Sequence, residues 1–161
     1  MHEYQEFFYL LTELAVVLIG FAGVTAAFAG RDRVYLATER NRMEGLFIQA
    51  LIVLFGTFSL YCAQVAELDI ATSIRCAAIV SLLFLFTAAG PGISRTLKVT
   101  KDQDSSSESW SVLLAILLVI VEAALFCYAA IYPTAWPLAI AYSIALLFCV
   151  WLFFRLLTRR N

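Results

Sequence analysis

The chain has 161 residues, is 63% hydrophobic, and has a mean hydropathy of +0.88 and a formal net charge of −1. Soluble domains are nearer half apolar, and in water this chain would expose more apolar surface than a monomer tolerates. It has neither a basic tail for nucleic acid nor a soluble stretch large enough for a core of its own, so lipid must be part of its solvent.

A membrane span needs about 20 mainly apolar residues, and five runs meet that length: residues 9–29, 45–66, 70–89, 110–131 and 136–157. The third is expected to stop at Gly90-Pro91-Gly92, a strong helix breaker. Tyr132-Pro133-Thr134 separates the last two spans. Pro137 suits the first turn of the fifth, where a missing N–H costs nothing. The expected fold is an all-α integral membrane protein, with one transmembrane domain over residues 1–161 and five helices in a compact bundle.

Ten of the eleven Lys and Arg residues fall on one side of this arrangement. Arg31, Arg33, Arg40 and Arg42 lie between spans one and two. Arg95, Lys98 and Lys101 lie between three and four, and Arg155, Arg159 and Arg160 close the chain. Basic residues in short loops stay cytoplasmic, which puts the N-terminus outside and the C-terminus in the cytoplasm. Tyr4, Tyr61, Tyr132 and Trp136 mark the outer aromatic belt, and Tyr35, Trp110 and Trp151 the inner one. This is the pattern of a multi-pass protein of a cell membrane, expected to be the bacterial inner membrane. Ala27-Phe28-Ala29 looks like a signal-peptide cleavage site. However, Glu3 and Glu6 precede the apolar run where such a peptide carries Lys or Arg. Between spans three and four, Ser105 and Glu108 form a capping box for the fourth helix.

Small residues repeat along two spans. Span one carries Glu13, Val16, Gly20, Gly23, Ala27 and Gly30 on one stripe; span two carries Gly45, Gln49, Ile52, Gly56, Ser59, Ala63 and Ala66. Helices in lipid associate through the close approach that small residues allow. Gly20, Gly23, Ala27, Gly56, Ser59 and Ala63 are therefore candidates for helix packing or subunit contact, with a homo-oligomer favoured.

Three charged residues lie inside the spans away from the basic ends: Glu13, Arg75 and Glu122. Alone and charged at the bilayer centre, each would cost at least about 2.5–3.5 kcal/mol. Counting residues from the outer face puts Glu13 and Arg75 at similar depth, with Gln64 nearby. The expectation is an ion pair there, a latch that sets helix register. Glu122 lies near mid-membrane, slightly to the outer side, with no Lys or His in a span to pair with. An isolated carboxyl at that depth is expected to be neutral, and intramembrane carboxyls mark ion or proton paths.

The four cysteines, Cys62, Cys76, Cys127 and Cys149, lack metal-type spacing and read as packing residues. Cys62 and Cys76 are level across the Asp69 turn, so a disulfide between them is conceivable. His2 is the one histidine and lies outside the spans, so no metal, haem or other cofactor is expected. Ser59, Ser81 and Ser143 have no base partner and read as packing hydroxyls. The chain is not expected to be an enzyme.

The early glutamate resembles that of the small multidrug-resistance transporters, which use such a carboxyl to exchange protons for cationic drugs. That resemblance is confined to Glu13, in a chain of five spans against their four. The functional expectation is a small homo-oligomeric channel or carrier for a cation or proton, with Glu13, Arg75, Glu122 and Gln64 in its pathway or buried polar network. The acidic outer surface would concentrate cations. The alternative is a non-catalytic accessory or assembly subunit of a larger membrane complex. Either way its partners are the bilayer and other membrane subunits or copies of itself, not nucleic acid.

Overall fold

The computed structural model describes residues 2–29, 37–101 and 106–158. Among them there are five α-helices and no strand: α1 (His2–Ala29), α2 (Ala37–Val65), α3 (Ile70–Lys101), α4 (Ser106–Ile131) and α5 (Ala135–Thr158). Each holds a stretch long and apolar enough to cross a membrane: Tyr4–Val24, Arg42–Val65, Ile70–Ala88, Val112–Ile131 and Ala135–Arg155. These are the spans of a multi-pass membrane protein. Helices are the expected form, because a backbone in lipid must satisfy its hydrogen bonds internally. Arg31, Arg33, Arg159, Arg160 and the Ser105 half of the capping box lie outside the described residues.

The helices run past the apolar segments. The α2 helix begins at Ala37 and takes in Arg40, whose Nε lies 3.7 Å from Glu44 Oε1 one turn on. The α3 helix does not stop at Gly90-Pro91-Gly92 but continues to Lys101. Proline disfavours a helical residue before it, partly by clashing with that residue's Cβ; here that residue is glycine and has none. At 32 residues α3 is about 48 Å long, longer than a hydrocarbon core of about 30 Å. Its last turns carry Arg95, Lys98 and Lys101 beyond the span.

One tight turn joins α2 to α3. Glu67 sits at φ 57°, its N–H bonded to Gln64 O (3.0 Å) and the Leu68 N–H to Ala63 O (3.1 Å). This is a Schellman stop, with a glutamate in the left-handed position that glycine usually takes. Asp69 then caps α3: its carboxylate accepts from the Thr72 N–H (3.2 Å) and from the Thr72 hydroxyl. Those bonds hold the Asp69 carboxyl below its ordinary value.

The helices form a closed round of neighbours, α1–α2–α3–α4–α5–α1, with α2 and α5 also packed on each other. Among the described residues, the backbone of α1 does not come close to that of α3 or α4, nor that of α2 to that of α4. Half of the α2 and α5 spans is buried inside the chain, against 17% for α4, so α2 and α5 form the centre. Two apolar clusters fill it. The larger holds Phe8, Ile52, Val53, Phe126 and Tyr142; the smaller holds Ala22, Leu46, Phe148 and Leu152, toward the Arg-rich ends of the helices.

Candidate functional site: buried polar contacts along the centre

Two buried polar contacts interrupt this apolar centre. The first surrounds Gly56 on α2. Tyr142 of α5, fully buried, lays its hydroxyl 2.8 Å from Ser81 Oγ on α3. Both groups occupy the space where a Cβ on residue 56 would stand: that atom would meet Tyr142 Oη, Ser81 Oγ and Tyr142 Cζ at clashing distances. Glycine is therefore required by a close approach of three helices. Phe8 and Phe126 hold the Tyr142 ring, at centroid distances of 6.2 and 5.6 Å. Beside it, the Thr12 hydroxyl lies 2.9 Å from that of Thr57, and the two also bond to Phe8 O and Val53 O of their own helices. Every hydroxyl in this region has a partner.

The second contact lies two turns away along the same face of α2, about 10 Å by helical rise. Glu122 of α4 is 0% exposed and Gln49 of α2 is 3% exposed. The Gln49 amide approaches the Glu122 carboxyl, but no bond of ordinary hydrogen-bond geometry closes. Glu122 Oε1, Glu122 Oε2 and Gln49 Oε1 are all buried without a partner. α2 and α4 are not packed on one another, so two long side chains meet across the gap between them. The Cys149 thiol of α5 stands within electrostatic reach of Glu122 and donates to Leu46 O at 3.4 Å. Gln49 and Cys149 both lie in the Arg-rich half of their spans. That places the contact toward the basic side, where the sequence reading set Glu122 slightly to the other.

The Glu13–Arg75–Gln64 network does not assemble within the chain. Glu13 and Arg75 both face outward, on helices that do not touch, because α2 lies between them. Nor are they level. The Thr12–Thr57 bond sets Glu13 beside Gly56 on α2, whereas the Ser81 contact with Gly56 sets Arg75 near Cys62. Six residues separate those levels, about 9 Å. Arg75, close to the turn, can extend its head out of the apolar layer. Glu13 is the deeper group. Gln64 is half-buried, and its carbonyl serves the Glu67 stop.

The two small-residue stripes also part company. Gly56 and Ala63 face inward, and Ser59 bonds back to Gly56 O at 2.8 Å. Gly20 and Gly23 face outward, with nothing within 4 Å of where a Cβ would be. Ala27 is on α1, its side chain outside the described residues. All four cysteines are free, so Cys62 and Cys76 are not joined. Sequence reasoning did not assign Gln49, Cys149 or Tyr142 to a site. Gln49 carried one usable signal: it shares the α2 stripe with Gly56 at a spacing of seven, which turns both to one face.

Compared with known proteins, the chain matches no family model, no curated protein and no solved structure.

Proposed function

We propose that this chain is a small membrane channel or carrier for a proton or small cation, with Glu122 as its working group. The observation that carries the reading is a carboxyl 0% exposed in the centre of the helices with both oxygens unpartnered. An unpartnered buried polar group costs about 1–3 kcal/mol, and a protein that keeps one in its centre has a use for it. In this reading the chain lies in a bacterial inner membrane, N-terminus outside and Arg-rich ends in the cytoplasm, and works as a homo-oligomer. The test is ion flux in liposomes. Wild-type protein dissipates an imposed proton or cation gradient and Glu122→Gln does so at least tenfold more slowly. Equal flux from the two removes this role for Glu122.

A second reading, an accessory subunit of a larger membrane complex, draws on a different observation. Glu13, Gly20 and Gly23 all face outward on α1, level with apolar surface. Small residues beside a lone carboxyl suit another transmembrane helix better than lipid tails. Purification in mild detergent separates the readings: an assembly of this chain alone favours the carrier, and a stoichiometric foreign partner favours the subunit.

A further inference from the structure

We infer that Glu122 and Gln49 form a proton-binding pair, in which neutral Glu122 donates its O–H to Gln49 Oε1 and accepts an N–H from the Gln49 amide. This rests on the reading of Glu122 as the working group and names what it binds. The argument is one of donors and acceptors. An ionised carboxylate is acceptor-only, and so is an amide oxygen. The three unpartnered oxygens here are two of the first kind and one of the second. A charged Glu122 could use only the amide N–H and would leave Gln49 Oε1 stranded beside it. One added proton changes this completely: the carboxyl hydroxyl donates to Gln49 Oε1, Gln49 Nε2 donates to the other carboxyl oxygen, and all three are satisfied in one cyclic acid–amide pair. The only bond formed is O–H on Glu122, and the proton comes from and returns to water.

Among the described residues, the groups that face Glu122 from the neighbouring helices have partners of their own. On α5, Cys149 faces Glu122 but its thiol is engaged with Leu46 O. Further along α5, Arg155 is held over the Trp151 ring, 4.9 Å from its centroid. On α3, the buried hydroxyls of Ser73 and Ser81 are bonded to Asp69 O and to Tyr142. α1 does not reach α4. The same three oxygens could instead hold a monovalent metal cation, and the experiment decides between the two.

That experiment is infrared spectroscopy of the purified wild-type protein at neutral pH, repeated in heavy water and at rising sodium and potassium chloride. The expected result is a protonated-carboxyl C=O band that shifts down in heavy water and is unchanged by salt. It is lost in Glu122→Gln and moves to higher frequency in Gln49→Leu, where the acceptor is gone. A carboxylate signature with no acid band overturns the pair. So does an acid band bleached by sodium or potassium, which makes the site a metal-cation site. So does an unshifted band in Gln49→Leu; should that variant not fold, Gln49→Asn, whose shorter amide breaks the cycle, gives the same readout. The spectrum reports on the site whether or not the protein moves anything, so a missing flux and a missing proton are separate outcomes.

Discussion

Around Gly56 every buried hydroxyl has a partner; around Gln49, two turns along the same face of α2, three oxygens have none. Both places are buried and both join α2 to α5 and a third helix. They differ in chemistry. Tyr and Ser hydroxyls each carry a donor and an acceptor, so they close on each other whatever the pH. A carboxylate and an amide oxygen cannot close until a proton arrives. The first contact reads as structure and the second as a site, and the distinction is one of hydrogen-bond inventory rather than of burial.

The sharpest way to break the comparison is to fill the first contact. Gly56→Ala would drive a methyl into Tyr142 and Ser81, at a cost of about 1–3 kcal/mol for overpacking, read as a lower unfolding midpoint in detergent. Adding Tyr142→Phe, which removes the nearest clashing atom, should restore part of the loss. The second contact should respond differently. Glu122→Leu alone leaves the buried Gln49 amide without its partner and should cost about 1–3 kcal/mol, while Glu122→Leu combined with Gln49→Leu removes donor and acceptors together at similar volume and should hold or raise stability; both abolish flux. Stability kept with loss of function is the mark of a group retained for its use. A large fall in stability with the double variant would place this contact in the same class as the first.

Two smaller effects at the α2–α3 turn serve as controls, since neither contact is involved. Glu67→Gly relieves a left-handed glutamate and should stabilise by about 1 kcal/mol after glycine's extra chain entropy is counted. It should leave flux unchanged. The smallest effect concerns acid. The Asp69 carboxyl is lowered from 3.8, first by the Thr72 hydroxyl and then by the Thr72 N–H. A lowered carboxyl contributes stability that is present above the ordinary value and is lost as pH falls through the lowered one. The midpoint of the wild type should therefore drop slightly in that acid range. Asp69→Asn, which caps without titrating, should show less of that drop.

Much of the fold was legible in the sequence, and for a simple reason. In lipid, an apolar run of sufficient length has few alternatives to a helix, so the five spans followed from length and hydropathy alone. Gly90-Pro91-Gly92 was misread because breaker strength depends on the residue before the proline, and a glycine there removes part of the clash. The Glu13–Arg75 pair was misread because counting residues inward from the start of each apolar run assumes that the runs begin at one level. The contacts of Thr12 with Thr57 and of Ser81 with the Gly56 site set the two helices at different depths.

Glu122 could be singled out from the chain by itself, because a carboxyl inside an apolar run is costly wherever it points. Its partner could not. Gln49 and Glu122 lie 73 residues apart on helices that do not pack together, and only the way α2 and α5 close the centre brings the two side chains into one gap. The same holds for the glycines. Gly20 and Gly56 sit in similar small-residue stripes, yet one faces outward and the other is pressed against a tyrosine. The order of residues determined that this chain forms five membrane-length helices and where charge interrupts them. Which faces turn inward was decided by tertiary packing, since in lipid both faces of a helix are apolar and hydropathy alone cannot rank them.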